Sequence, residues 1–314
     1  MQSILGTTEP CDGLRHAKWK PWLKPRKPMP DNSRDLLKVE GLTVEFRTGR
    51  LPALRALENV DLKVTAGEIV GLVGESGSGK TVLAHTILGL LPSGGKAIAG
   101  RIDWQSRDIL TSTERELRAI RGKEIAMIFQ DPQASLNPIY TVGRQIEWAL
   151  KLHRSIVGTE AKTEVLRLFE SVKLRDAARC ANAYPHELSG GMCQRVMIAM
   201  ALAANPGLLI ADEPTSALDV NVAAEIAYLL AGLRETLGLS ILMITHDLSI
   251  ATTLADRIAV LDHSRLVETV ASDRFVSDAQ HPASRKLIDA SRFLGSALYA
   301  QPMPAGANST LSAT

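Results

Sequence analysis

The octapeptide GESGSGKT, Gly74 to Thr81, matches G-x-x-x-x-G-K-[ST] at every fixed position. It follows the apolar run EIVGLVG and precedes TVLAHTILGLL, whose apolar residues recur at helical spacing, so the motif falls at a strand-to-helix turn. Glycines at 74, 77 and 79 let the backbone curl until successive N–H groups face one concavity, and the helix that begins there adds partial positive charge. Lys80 brings a full charge for the β- and γ-phosphates of a nucleotide, and the Thr81 hydroxyl is a ligand for Mg²⁺. Gly74, Glu75, Ser76, Gly77, Ser78, Gly79, Lys80 and Thr81 are therefore expected to hold nucleotide phosphates. Alone, this loop implies nucleotide binding and nothing narrower.

A second stretch, LLIADEP from Leu208 to Pro214, is an apolar strand ending in two acids. The C-terminal ends of strands in an open sheet form the mouth where ligands bind. Asp212 suits a direct or indirect hold on Mg²⁺, which prefers oxygen ligands. Glu213 would face a water beside the γ-phosphate and act as general base for hydrolysis. Two acids at a strand end can also be a charge pair at a helix N-terminus; the presence of Lys80 and Thr81 favours the metal-and-base reading. Gln130 ends EIAMIFQ and His246 follows SILMIT, so both leave strand ends at the same mouth. The amide can orient water or ligate Mg²⁺; the imidazole can donate to the γ-phosphate.

LSGGMCQRV, Leu188 to Val196, holds no base and no metal-ligand cluster, yet it opens a helix with a serine and two glycines. Ser189, Gly190 and Gly191 can present a hydroxyl and backbone N–H groups to a second anion. With Lys80 and Thr81 on one side of the γ-phosphate, this site is best used on a nucleotide held by another subunit, which implies a composite site.

The elements that must position these residues read as α/β. LLKVEGLTVEF and LENVDLKV alternate like half-exposed strands; EIVGLVG, EIAMIF, LLIAD and SILMIT are short continuous apolar runs suited to buried strands of a mainly parallel sheet. Between about 137 and 188, VGRQIEWALKLH and KTEVLRLFESVKL read as amphipathic helices with no strand between them, a helical subdomain inserted into the core. A chain of 314 residues, 45% hydrophobic, can bury roughly three quarters of its unfolded surface without staples. Three cysteines, Cys11, Cys180 and Cys193, show neither disulfide nor metal-ligand spacing and point to a reducing compartment. No apolar run approaches the roughly 18 to 20 residues of a bilayer span, and no signal peptide opens the chain, so any membrane role is peripheral. The net charge of +2 is uneven. Arg15, Lys18, Lys20, Lys24, Arg26 and Lys27 crowd the first thirty residues against Glu9 and Asp12, leaving the rest slightly acidic and without a basis for nucleic-acid binding. Residues 1–34 read as a disordered basic tail; Trp19 and Trp22 there fit either a solvated tail or a membrane or partner contact. A start at Met29 is an alternative.

The order of motifs resembles the nucleotide-binding subunits of ATP-binding-cassette (ABC) transporters. GESGSGKT stands as Walker A, Gln130 as the lone glutamine, LSGGMCQR as the family signature, LLIADEP as Walker B, SALD at Ser216 to Asp219 and TH at Thr245 to His246. The resemblance spans about Leu36 to Ala290. It implies a P-loop NTPase fold with a RecA-like core, an antiparallel β subdomain and the inserted helical subdomain, occupying 35–270. It also implies ATP and Mg²⁺, the latter at Thr81, Gln130 and Asp212, and catalytic roles for Glu213, His246 and Gln130. A head-to-tail dimer of identical or different cassettes would clamp each ATP between one Walker A and the other subunit's Ser189, Gly190 and Gly191. Phe46 stands where the family stacks an aromatic on adenine, although a strand phenylalanine also suits a core.

IRGKEIAMIFQDPQASLNP, YPHELSGGM and RFVSDAQHPASRKLIDA are similar to importers of di- and oligopeptides and of nickel. That group implies two integral membrane permeases, a periplasmic or lipoprotein solute-binding protein, and a place on the cytoplasmic face of the bacterial inner membrane. It also implies a C-terminal extension, here 271–292, leaving 293–314 as a second disordered tail. Cys193 replaces the subfamily's usual arginine, HPAS stands for HPYT, VLDHSRLVE lacks an aromatic and a glycine, and a later cysteine-rich cluster is absent. Cys193 is either a tolerated small side chain or a thiol beside the nucleotide, activated by the helix N-terminus. The rival functions are an accessory ATPase of a soluble enzyme assembly, like the relatives associated with carbon-phosphorus lyase, and an ABC ATPase acting on nucleic acid or ribosomes. A simple P-loop kinase would leave LSGG and His246 without a task.

Overall fold

Two long strands, β1 (Asp35–Phe46) and β2 (Leu54–Thr65), pair antiparallel. Their alternation turns Leu37, Val39, Leu42 and Val44 inward, with Leu57, Val60, Leu62 and Val64 opposite. In the computed structural model, residues 35–298 are described apart from Thr48, Arg50 and Leu51; the basic segment expected over 1–34, with Cys11, Trp19 and Trp22, lies outside the described residues. After β2 come β3 (Ile69–Val73) and α1 (Lys80–Ile87), then β4 (Gly95–Trp104), β5 (Arg107–Asp108) and α2 (Glu114–Ile120). The first sheet runs β2-β1-β4-β5. The apolar pattern does not signal β4, because its residues Gly95 to Arg101 lie largely on the exposed face and include two glycines. Burial is concentrated at its end, in Ile102 and Trp104, whose indole N–H donates to Glu124 Oε2 at 2.7 Å.

The second sheet contains β3, β6 (Ile125–Ile128), β7 (Leu208–Asp212), β8 (Ser240–Ile244), β9 (Arg257–Asp262) and β10 (Arg265–Ala271). Its order is β10-β9-β3-β8-β7-β6, parallel throughout except for the β9–β10 pair at one edge. The continuous apolar runs are explained by burial on both faces. Val70, Leu72, Leu208, Ile210, Leu242 and Ile244 point into a core shared with α1 and the first sheet. Ile69, Val73, Leu209, Ala211, Ile241 and Met243 point into a second core on the opposite side.

Between β6 and β7 the chain is helical: α3 (Pro132–Ser135), α4 (Val142–Arg154), α5 (Gly158–Ser171), α6 (Ala177–Asn182) and α7 (Gly190–Leu202). The apolar stripes of α4 and α5, including Val142, Ile146, Leu150, Val165, Leu168 and Phe169, join the second core without a break. α8 (Val220–Leu237) follows β7, and α9 (Leu248–Leu254) follows β8. Arg195 in α7 fastens the insert to α8: one guanidinium nitrogen donates to Val172 O at 2.8 Å and another to Glu225 at 2.6 Å. After β10 come α10 (Phe275–Asp278) and α11 (Pro282–Leu298); α11 continues past residue 292, so 293–298 are helical rather than part of a loose tail.

Replacing Trp104 by alanine removes a fully buried indole and its hydrogen bond to Glu124, whose carboxylate keeps Arg107. The expected destabilisation is about 3–5 kcal/mol, read as a lowered denaturant midpoint; a shift under about 1 kcal/mol would contradict this packing.

Candidate active site

Four neighbouring parallel strands, β3, β8, β7 and β6, end at one edge, and each delivers a different group there. Register sets Leu72 beside Ile244, Ile244 beside Asp212, and Ala211 beside Ile128. The phosphate loop follows β3, Thr245 and His246 follow β8, Asp212 and Glu213 end β7, and Gln130 follows β6 by two residues.

The loop turns into α1 at Gly79, whose φ of +110° is open to glycine; a Cβ there would meet Ala56 O at 2.5 Å. Lys80 is buried, and its ammonium donates to the carbonyls of Gly74 and Glu75, each at 2.8 Å, and reaches Ser78 Oγ at 3.4 Å. Burial pushes its pKa down, against the pull of Glu213 and Asp212. Thr81, on the exposed first turn, directs its hydroxyl to Asp212 Oδ1 at 3.4 Å. Asp212 is itself buried, and desolvation raises its pKa; the Thr81 hydrogen bond opposes this and the Glu213 charge adds to it. The two oxygen groups assigned to Mg²⁺ thus already adjoin one another, and the lysine curls over the loop.

Glu213 adopts a left-handed φ of 47°, unusual for a residue with a Cβ and costing about 1–3 kcal/mol. Its N–H donates to Ile244 O at 2.9 Å, and its carbonyl accepts from the Ser216 N–H and hydroxyl at 3.2 and 3.1 Å. The carboxylate leaves the strand between two partners. Gln130 Nε2 donates to Oε2 at 2.9 Å, and His246 Nδ1 lies 3.4 Å from Oε1. Gln130 and His246 are exposed, so the carboxylate is held while the mouth stays open to water. Asp247 fixes the turn that presents His246. Its N–H donates to Thr245 Oγ1 at 3.0 Å, and its carboxylate caps α9 through the N–H groups of Ser249 and Ile250. Motif spacing does not single out Asp247; the available signal is an acid immediately before an apolar run.

Ser189, Gly190 and Gly191 form a separate group at the start of α7. Ser189 caps the helix by accepting from Met192 N at 3.3 Å. A Cβ on Gly191 would meet Val222 Cγ1 at 2.7 Å, so glycine permits the close approach of α8. Gly190 faces Leu218, placing the SALD turn against this group. No hydrogen bond among the described residues ties the trio to the phosphate loop. Phe46 also stands apart from the catalytic cluster: it ends β1 half-buried, its ring against Gly95, packed on the core beneath the first sheet. Cys193 is fully buried, its thiol directed to Pro185 O at 3.4 Å, and burial pushes its pKa up. This overturns the activated-thiol alternative.

Such a sheet edge, with an inserted helical unit and an antiparallel sheet packed on the core, defines an ABC nucleotide-binding cassette. The sequence profile of the ABC transporter family matches residues 57–216. A putative peptide import ATP-binding protein of Brucella abortus is 44% identical over 255 residues, covering 81% of this chain and 76% of the relative. The chain belongs to the ABC transporter family. An oligopeptide transport ATP-binding protein of Bacillus subtilis is 45% identical over 250 residues, with 79% of this chain and 69% of the relative covered. A peptidoglycan transport ATP-binding protein of Agrobacterium fabrum is 48% identical over 260 residues, 82% of this chain but 47% of the relative, so the chain spans about half that protein's length. These names bear out the resemblance to peptide importers. Among solved structures, an ATP-binding cassette in a dimeric post-hydrolysis state with ADP and Pi aligns with TM-score 0.68 and 31% identity, covering 75% of this chain and 98% of the other.

Native protein treated with N-ethylmaleimide at pH 8 is expected to leave Cys193 unlabelled while denatured protein is labelled there, as mapped by peptide mass spectrometry. Fast native labelling would place the thiol in the open site after all.

Proposed function

We propose that this chain is the ATP-hydrolysing subunit of an importer for peptides or a related small solute. The observation that carries the reading is the Glu213 carboxylate, held between Gln130 and His246 beside Lys80 and the Thr81–Asp212 pair. On ATP, the N–H groups of the loop and Lys80 take the phosphate oxygens, with the Lys80 ammonium already held at the loop by the carbonyls of Gly74 and Glu75. Glu213 accepts the proton of the attacking water; Gln130 and His246 keep the carboxylate aimed, and His246 stabilises the γ-phosphate charge. The oxygen donors of Thr81, Asp212 and Gln130 would suit Mg²⁺, which would supply positive charge to offset that of the phosphates.

The separation of Ser189, Gly190 and Gly191 from the chain's own phosphate loop supports a head-to-tail dimer, in which this trio closes over a partner's ATP. The similar cassette with ADP and Pi is dimeric. Phe129, next to Gln130, and Ile139, Tyr140 and Trp148 of the helical insert leave large apolar side chains exposed, with Trp148 edge-on to Tyr140 at 4.6 Å. This surface suits two integral membrane permeases, to which the chain docks peripherally on the cytoplasmic face of the inner membrane. No helix among the described residues is long and apolar enough to cross a membrane. A solute-binding protein outside the membrane would deliver the solute.

Glu213→Gln is expected to bind ATP normally and lower turnover at least about 100-fold; wild-type turnover would remove Glu213 as base. Tagged Glu213→Gln, extracted in mild detergent with ATP and Mg²⁺, should co-purify with two permeases and a second cassette by mass spectrometry. Recovery of soluble-enzyme or ribosomal partners instead would overturn the transport reading while leaving the ATPase chemistry.

A further inference from the structure

The C-terminal residues from Ser272 onward are fastened to the core by hydrogen bonds and burial. Ser272 Oγ donates to Thr252 O at 2.9 Å, and Phe275 is fully buried. Glu268 of β10 then fixes the start of α11. Its carboxylate accepts from the N–H of Gln280 at 2.7 Å, from the N–H of His281 at 3.2 Å and from the Ser284 hydroxyl. So anchored, α11 carries Lys286 back to the phosphate loop, where its ammonium pairs with the Glu75 carboxylate across 211 residues of sequence. A cavity of about 240 Å³ lies between the two elements, lined by Gly74, Glu75, Leu261, His263, His281 and Leu287 among others. Among the described residues no other hydrogen bond or ion pair joins helix to loop.

The pair contributes little to stability, since its side chains are 74% and 53% exposed and such pairs are screened by water. Its position gives it another effect. Glu75 is the single acid of GESGSGKT, a loop whose other features all favour an anion. Unpaired, its charge opposes incoming phosphates; paired with Lys286, that charge is offset by the ammonium. We propose that Lys286 is a positioning residue for the phosphate loop, tying back and neutralising Glu75 so that the C-terminal extension sets the chain's affinity for ATP. The proposal rests on reading Gly74 to Thr81 as that loop. It makes the extension a handle: a partner that pulls α11 away weakens ATP binding without touching Glu213, Gln130 or His246.

The test is calorimetric binding of a non-hydrolysable ATP analogue to the full chain, with steady-state hydrolysis alongside. Lys286→Ala should raise Kd and KM about two- to fivefold, and Lys286→Glu about tenfold, with kcat within twofold of the parent; Lys286→Arg should restore the parent values. The gap should close in 1 M NaCl, where the screening length falls to about 3 Å. In a Glu75→Gln background, Lys286→Ala should add nothing, since the carboxylate it acts through is gone. Unchanged Kd in all Lys286 variants, or an equal effect in the Glu75→Gln background, would overturn the coupling. Lys80→Ala, run in parallel, should lose affinity more than tenfold. Full binding there would bring down the loop reading and this proposal with it, whereas its loss beside inert Lys286 variants would overturn the coupling alone.

Discussion

Burial of β3, β8, β7 and β6 on both faces is the constraint on which the rest of the structure depends. Apolar residues on both faces of these strands, one set facing each core, leave them no room to slip in register, because a one-residue shift would exchange the contents of the two cores. Register in turn decides which residues reach the edge together. Asp212 stands beside Ile244 because Leu208 stands beside Ser240, and the same ladder carries Gln130, Glu213, His246 and Lys80 to one mouth. Hydrophobic packing that is indifferent to chemistry thereby aligns the groups that perform it.

At that mouth the physical chemistry is one of unmet charge. Lys80 and Asp212 are both buried, and desolvation pushes the lysine's pKa down and the aspartate's up, each toward neutrality. In the function proposed above, a polyphosphate and a divalent cation would offset both penalties together. Glu213 is arranged differently. Its strained φ and its hydrogen bond from Gln130 hold the carboxylate at the open edge, a placement that suits the base role proposed for it.

Much of this was legible in the residues, and what was not has a common physical cause. Short apolar runs identified β3, β6, β7 and β8 because their burial leaves an unbroken signal, and the groups of the cluster follow those runs within a few positions. β4 escaped because one of its faces is open to solvent and two glycines interrupt it. The fate of Cys193 was undecidable from the helix start alone; the packing of α7 against the turn before it buries the thiol. The backbone strain at Glu213 and the approach of Val222 to Gly191 arise from tertiary contacts that local pattern does not encode. The link between Lys286 and Glu75 was beyond reach for the same reason, since it joins an extension to a loop at the other end of the fold.

The helical insert shares one continuous apolar core with the sheet, from Leu150 and Phe169 through Val196 to Leu209 and Ile226, and Arg195 bridges it to α8. Because insert and sheet meet through buried side chains, movement of one against the other would proceed by shear, with those side chains sliding past one another in small steps. Motion of that kind exposes little apolar surface, and its heat-capacity change is correspondingly small. A closing cassette would then show its thermodynamic signature at the surfaces between subunits, with its own interior nearly silent.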